Sequence, residues 1–309
     1  MRGFLHIDKP RGITSFDVVR QIRRAAHMKR VGHAGTLDPL ATGVLPVALG
    51  DATRLVDEMM GARKRYRAEI LLGRETDTYD TEGEVLEERN ALAVTVEAIE
   101  AALPAFVGAI MQAPPAYSAI KRGGEPAYRA ARRGEPHQLE SRPVVVYDVD
   151  VLALTHEGSV ARLTIDIRCG QGFYVRSLAH DLGAALGVGG TIDALRRTQV
   201  GTFLAEEATP LDRAVERLES GDLEGLLHPA DAVVAHLPSW RLSEDEVVRM
   251  RNGLMMSLPE PEILERASAT SQVRCYAPSG EFVGLLRPKG DEGLWHPFRV
   301  FPPDTIASR

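Results

Sequence analysis

The sequence predicts an α+β fold: a mixed, largely antiparallel sheet with flanking helices, followed by a small β-rich C-terminal domain. Three observations carry this. Segments that alternate apolar and polar side chains end in hairpin-type turns, at Gly83, at Glu157-Gly158 and at Pro278-Ser279-Gly280. Helical patterns are inserted among these strands, which argues against a doubly wound parallel sheet. The chain has 309 residues, and at about 150 residues per domain two domains are expected.

The elements follow in order. Residues 4–7 (FLHI) read as a short strand stopped by Lys9-Pro10 and Gly12. Thr14 to Asp17 form a capping box ahead of Phe16, Val19, Ile22 and Ala26, so a helix is expected over 15–27. Residues 31–50 hold four glycines and two prolines without helical period. They read as a long structured loop running into a short strand, and such loops usually carry function. A helix is expected over 51–60, an alternating strand over Tyr66–Leu72, and a turn at Gly83 into another strand. Residues 96–107 are an amphipathic helix. Residues 112–143, rich in Pro, Gly and Arg, read as an insertion with a short helix around 126–133. Strands follow over Val144–Leu154 and Ser159–Arg168, a helix over 175–186, a β-rich stretch over 190–205 and a helix over 211–219. HPADAVVAHLPSW (228–240) is a connector, so the division falls near 240: a first domain over 1–240 and a second over 241–309, the latter opening with a helix at 243–252.

Composition excludes several classes. Hydrophobic residues make up 44% and charged residues 26%, which is ordinary globular usage. Cys169 and Cys275 are far apart and form no C-x-x-C pair, so no disulfide scaffold, zinc ribbon or iron–sulfur cluster is expected. No apolar run approaches membrane-spanning length and MRGFLHIDKPRG has no secretory apolar core, so a soluble, cytoplasmic protein is expected. There is no phosphate-binding G-x-x-x-x-G-K-[ST], dinucleotide G-x-G-x-x-G, H-E-x-x-H or G-x-S-x-G motif. Chemistry is left to carboxylates, tyrosines, arginines and backbone.

The net charge of −6 hides an asymmetry. Residues 1–80 carry 14 basic and 10 acidic side chains, whereas residues 81–309 carry 23 and 33. Window 18–37 holds Arg20, Arg23, Arg24, Lys29 and Arg30 and no acid. A basic surface on an acidic protein is compatible with a nucleic-acid partner. Only five of the 37 cations are lysines, and arginine is the better bidentate ligand for phosphate and base edges.

The loop Gly32-His33-Ala34-Gly35-Thr36-Leu37-Asp38-Pro39-Leu40-Ala41-Thr42-Gly43 is the strongest candidate site. Asp38 precedes a proline, which holds it extended, and the surrounding glycines let backbone approach a ligand closely. GHAGTLDPLATGVLPVALGDATR resembles the catalytic motif of the TruB family of pseudouridine synthases, which isomerise a uridine in the T loop of tRNA. IDKPRGITSFDVV (7–19) resembles that family's N-terminal segment and KRYRAEILLGRETDTYDTEGE (64–84) its second motif. PPAYSAIKRGGEPAYRAARRGE (114–135) resembles its RNA-clasping insertion. CGQGFYVRSLAHDLG (169–183) and ALRRTQVG (194–201) resemble later motifs. Together these cover most of residues 5–202, in the family's order. The tail from about 241 is similar, more weakly, to the small PUA-type RNA-binding domain.

The resemblance implies the pseudouridine synthase fold and conversion of the uridine at position 55 of tRNA to pseudouridine, by flipping the base out of its loop. The reaction breaks the N1–C1′ bond, rotates the uracil and rejoins it through C5. Nothing is added or lost, so no cofactor and no metal are implied. Asp38 matches the catalytic aspartate and Arg176 the arginine that pairs with it. Tyr66 matches the tyrosine that stacks on the uracil and helps remove the C5 proton; Tyr174 and Leu195 match further pocket positions. His33 matches the histidine that attends the vacated base. Lys121, Arg122, Arg129, Arg132 and Arg133 are the cations of the clasp, with the T-arm of tRNA as partner. Lys9 and Pro10 read as support for the loop. A monomer is expected, since nothing calls for an oligomer. The rival readings are a guide-RNA-dependent relative, which shares the Asp loop, and a tRNA-folding chaperone without chemistry.

Overall fold

The computed structural model describes residues 1–118, 120–122, 125–133, 135, 139–257, 271–289 and 293–303. The chain opens with β1 (Gly3–Lys9), α1 (Ser15–Ala25), β2 (Val31–His33), β3 (Thr42–Leu49), α2 (Val56–Gly61) and β4 (Lys64–Leu72). A small hairpin, β5 (Arg74–Thr76) with β6 (Val85–Glu88), leads to α3 (Val96–Ala102) and β7 (Gly108–Gln112). Then come β8 (Lys121–Arg122), β9 (Glu125–Pro126), α4 (Ala127–Arg132), β10 (Arg142–Glu157), β11 (Val160–Cys169), α5 (Val175–Ala185) and β12 (Gly190–Val200). The run closes with β13 (Phe203–Leu204), β14 (Thr209–Pro210), α6 (Leu211–Ser220) and β15 (Leu227–His228).

Among the described residues these strands build an eleven-stranded sheet in the order β14-β1-β3-β12-β4-β11-β10-β7, with β2, β13 and β15 beside β3, β12 and β1. Only β1/β14 and β3/β12 are parallel; the rest of the ladder is antiparallel. The fold is the mixed α+β arrangement that the hairpin turns predict. A second sheet follows, from β16 (Ser239–Arg241), α7 (Glu244–Arg251), β17 (Met256–Ser257), β18 (Val273–Tyr276), β19 (Phe282–Pro288) and β20 (Leu294–Val300), in the order β16-β18-β19-β20-β17. Trp240 pairs with Cys275 inside this sheet, so an interface between domains at 240 would cut a strand; we propose the division at Pro238.

Local chemistry accounts for the element ends. The Thr14 hydroxyl accepts from Asp17 N at 3.0 Å while the Asp17 carboxylate accepts from Thr14 N at 3.0 Å. This satisfies two orphan donors of α1. The apolar stripe Val18, Val19, Ile22 and Ala25 then packs into the main core. The helix expected over 96–107 becomes a 3-10 turn at Leu103–Phe106; Pro104 has no N–H to continue the α-helical ladder. The expected helix at 51–60 likewise begins as a 3-10 turn, Gly50–Leu55, before α2. Strand β4 is buried at Lys64, Tyr66 and Ala68 and exposed at Arg65 and Arg67, the period of two that puts Tyr66 under the sheet's covered face.

The helices α1, α3, α5 and α6 cover one face of the large sheet over the main core. A second core holds Phe4, Ala48, Met59, Phe203 and Val234 together with Phe282, Leu285 and Phe301 of the C-terminal sheet. Arg299 pairs with Asp57 at 2.9 Å and Arg54 donates to Val300 O, so the two sheets are joined by apolar packing and by polar contacts. No helix among the described residues is long and apolar enough to cross a membrane.

Candidate active site

The loop that carries Asp38 is held from both ends. The Ser15 hydroxyl accepts from Leu37 N at 2.8 Å and donates to Leu37 O at 3.0 Å. One buried side chain thus satisfies both backbone groups next to Asp38; leaving them unpaired would cost about 1–3 kcal/mol each. Gly12 N donates to Pro39 O at 2.8 Å and Ala41 N to Asp38 O at 3.1 Å. Lys9 is fully buried, and its Nζ donates to Pro10 O, Ile13 O and Pro39 O at 2.8, 2.7 and 3.4 Å. Burial pulls this ammonium down to about 8, against the opposing pull of Asp38. On the far side Arg197, also buried, donates to Val44 O at 2.7 Å and Gly35 O at 3.0 Å. Gly43 has φ of +100°, and a Cβ there would lie 2.2 Å from Arg197 O. Glycine is required at that crossing of β3 and β12.

Arg176 stands in the first turn of α5, where the helix dipole disfavours a cation. Carboxylates and carbonyls offset this. Its Nε lies 2.9 Å from Asp38 Oδ2, and its Nη1 3.4 Å from Asp80 Oδ2. Nη1 donates to Thr78 O and Nη2 to Tyr117 O, each at 2.9 Å. The Nε–H does not aim along a lone pair of Asp38, so the contact is an ion pair rather than an aligned hydrogen bond. The Arg176 side chain is 6% exposed and Asp38 37%. The carboxylate faces the open cleft while the cation is clamped behind it.

Asp80 is the second carboxylate on this arginine, and it is not among the candidates that the sequence offers. Its Oδ1 accepts from the Thr78 hydroxyl at 2.8 Å and from Glu82 N at 3.1 Å. Burial pushes its carboxyl up, and Arg176 opposes that push. In the segment TDTYDTEG the short polar side chains ahead of Gly83 mark an Asx-type turn, which shows the turn but not its meeting with Arg176.

The cleft in front of Asp38 has a volume of about 260 Å3. Tyr66, Tyr174, Leu195, Arg176, Lys64 and Arg197 line it with the Gly35–Asp38 loop. Leu195 sits on β12 opposite Ala68 of β4, one step from Tyr66. Burial pushes the Tyr66 hydroxyl up, and the Arg197 guanidinium beside it pulls the other way. Tyr174 is pushed up by burial and then by the Asp38 charge. Lys64 is pulled down to about 8 by burial, with Nζ on Met60 O at 2.6 Å and Ala62 O at 2.7 Å. Burial pushes the neighbouring Cys169 thiol up to about 12, which keeps it protonated and inert.

The expected insertion 112–143 is closed at its base by β7 and β10, where Arg142 pairs with Gln112. The Gln112 amide clamps the Tyr174 backbone, donating to O at 3.0 Å and accepting from N at 2.9 Å. The Ser177 hydroxyl donates to Ala113 O at 2.8 Å. With the Tyr117 contact, these bonds stitch the start of the insertion to the helix turn that holds Arg176.

Asp38, Tyr66, Tyr174, Arg176 and Leu195 therefore share one cleft. His33 does not line it: it ends β2, opposite Val47 of β3. Burial and nearby Arg197 hold its imidazole below the usual histidine range. The side chains of Lys121, Arg122, Arg129 and Arg132 lie outside the described residues. That of Arg133 is described, and it pairs with Glu125 at 2.6 Å and Glu135 at 3.9 Å. No group of three or more His, Cys, Asp or Glu side chains able to hold a metal ion occurs among the described residues.

Residues 23–175 match the model of the TruB family pseudouridylate synthase N-terminal domain, and residues 176–235 that of the tRNA pseudouridylate synthase B C-terminal domain. A tRNA pseudouridine synthase B of Arthrobacter sp. (strain FB24) is 43% identical over 308 residues, 99% of this chain and 98% of the relative. One from Dehalococcoides mccartyi (strain ATCC BAA-2266 / KCTC 15142 / 195) is 41% identical over 303 residues, 97% of each chain. Among solved structures, an H/ACA RNP bound to a substrate RNA containing 2′-deoxyuridine superposes with a TM-score of 0.69 at 26% identity, over 97% of this chain and 85% of that one. A Cbf5-Nop10-Gar1 complex gives 0.66 at 28%, over 92% and 78%. With the Asp38 loop, the Arg176 clamp and this full-length likeness together, the chain belongs to the TruB family of pseudouridine synthases.

Proposed function

We propose that the chain isomerises uridine to pseudouridine in tRNA, at position 55 in the T loop, using Asp38 on a flipped base and without a cofactor. The observation that carries this reading is the Asp38–Arg176 pair at 2.9 Å at the back of a cleft sized for a single base. Family membership and the relatives named tRNA pseudouridine synthase B support the substrate class.

Each residue then has a task. The target uracil must leave its loop, at a cost of a few kcal/mol. Stacking on the Tyr66 ring, with Leu195 and Tyr174 as walls, returns about 1–3 kcal/mol. Asp38 stabilises the fragment released as the N1–C1′ bond breaks, as an anionic nucleophile or partner. Arg176, with its Nε 2.9 Å away, holds that carboxylate in place. After the base turns, C5 bonds to C1′ and gives up its proton while N1 takes one up, and the Tyr66 hydroxyl in the cleft lining is assigned to relay the C5 proton. Atoms in equal atoms out, so isomerisation itself consumes no co-reactant.

The RNA is held outside the cleft by the basic N-terminal region, by the insertion with Lys121, Arg122, Arg129, Arg132 and Arg133, and by a PUA-like C-terminal unit. Folded RNA is read by shape and by splayed bases, and His33 would attend the disturbed loop from the edge of the site. The same reading makes the protein a cytoplasmic enzyme that works as a monomer on the tRNA T-arm.

The test is incubation with unmodified tRNA transcript and no other component, then mapping of pseudouridine at nucleotide resolution. Conversion of one T-loop uridine at unchanged RNA mass supports the proposal. Release of free uracil, or activity only with an added guide RNA, would overturn it.

A further inference from the structure

Residues 78, 79 and 80 meet one face of α5 in succession. Thr78 O and Asp80 Oδ2 take the Arg176 guanidinium. Between them Tyr79 lays its ring on His180, with centroids 4.0 Å apart and planes inclined by 24°. Arg176 and His180 are four residues apart, so they lie on one side of the helix. Tyr79 has φ of +63°, a conformation that bulky side chains rarely adopt and that is retained only where surroundings compensate. The backbone around it is tied to β12: Ile192 N donates to Tyr79 O at 3.0 Å, and Thr81 N to Ile192 O at 2.9 Å.

The imidazole is fixed from its other edges. Its Nε2 lies 3.3 Å from Glu75 Oε1 on β5, and its Nδ1 3.0 Å from Asp181 Oδ1. Arg89 Nη1 is 3.8 Å from the same Glu75. Neither ring lines the cleft.

We propose that Tyr79 and His180 form a positioning pair: their stack holds the left-handed turn at 79, and so sets where Thr78 O and Asp80 present themselves to Arg176. A glycine at 79 would make this turn without strain. The tyrosine contributes instead a rigid plate that stacks on a ring of the helix that carries Arg176. A small shift of that turn would move the guanidinium relative to Asp38, and misplacement on the scale of an ångström is costly for a chemical step. The effect is expected in turnover rather than in RNA binding, because both rings lie outside the cleft lining and act through Arg176.

This inference rests on the proposed function, and the test separates the two. Full-length Tyr79→Gly, His180→Ala and His180→Phe are compared with wild type on unmodified tRNA, with kcat and KM measured separately and thermal unfolding followed in parallel. Tyr79→Gly accepts the backbone and removes the ring. It and His180→Ala are each expected to lower kcat about tenfold with KM within about twofold. His180→Phe keeps the stack and recovers most of the loss. The inference is overturned if both truncations keep wild-type kcat, if the loss is confined to KM, or if His180→Phe is as slow as His180→Ala. It is also overturned if the loss vanishes once rates are scaled to the folded fraction. An inactive wild-type chain overturns the functional reading and this inference with it, whereas an active wild type with unaffected variants overturns the inference alone.

Discussion

The Arg176 guanidinium sits 2.9 Å from Asp38 and 3.4 Å from Asp80, with two carbonyls completing its surroundings. Four acceptors around one buried planar cation leave no room for a different cation geometry. Arg176→Lys is therefore expected to lower single-turnover rates by about a hundredfold, nearly as much as Arg176→Ala, because an ammonium cannot reproduce the fork. Wild-type-like rates for the lysine variant would show that charge alone suffices.

Asp80 separates orientation from stability. Asp80→Asn keeps the shape and the contacts to Thr78 and Glu82 but removes the charge facing Arg176. Because Arg176 still has Asp38 and two carbonyls as partners, the buried cation stays compensated and the neutralisation should cost little stability. The rate should fall about tenfold to a hundredfold while the melting temperature stays near that of wild type. Parallel kinetics and thermal unfolding check this; a large drop in melting temperature with an unchanged rate would reverse the assignment.

Tyr66 combines a ring and a hydroxyl. Tyr66→Phe is expected to keep KM within about threefold, since stacking is retained, while the rate falls if the hydroxyl removes the C5 proton. Tyr66→Leu should lose both. Measured kcat and KM for the two variants decide it, and equal kcat for Tyr66→Phe and wild type would remove the hydroxyl from the chemistry.

His6 predicts an acid sensitivity remote from the cleft. It is 2% exposed, packs 4.7 Å from the Phe203 ring, and neither ring nitrogen has a hydrogen-bond partner among the described residues. Burial pulls its imidazole down to about 4. Unfolded chains bind the proton near pH 6.5 and the folded chain does not. The stabilisation is thus complete above that value and is lost as pH falls towards 4. Between pH 7 and pH 5 this amounts to roughly 2 kcal/mol. Urea unfolding at the two pH values should show a smaller decline for His6→Phe than for wild type; equal declines would mean His6 titrates normally.

What was legible in the sequence was what local chemistry decides. The Thr14–Asp17 box, the turns at Gly83 and Gly158, and the alternation along β4 are read from neighbours in the chain. The Asp38 loop was legible as well, through its glycines and its motif. Asp80 was not, because its importance comes from Arg176, 96 positions away in the chain and brought close only by the packing of α5 on the sheet. Arg197 was hidden for the same reason: a charged residue within a strand reads as solvent-facing, yet here it is buried against Gly35 and Val44 carbonyls. His33 shows the converse. It is five residues from Asp38, but β2 turns away along β3 and leaves it outside the cleft lining.

In the proposed reaction the Asp38 carboxylate, held by Arg176, does the chemistry on a uridine of tRNA. The most direct measurement is pseudouridine formation on unmodified tRNA by Asp38→Asn beside wild type, with tRNA affinity measured on the same preparations. No detectable product is expected from the variant, with affinity within about tenfold because phosphate contacts dominate binding. Turnover by Asp38→Asn above a few per cent of wild type would contradict it.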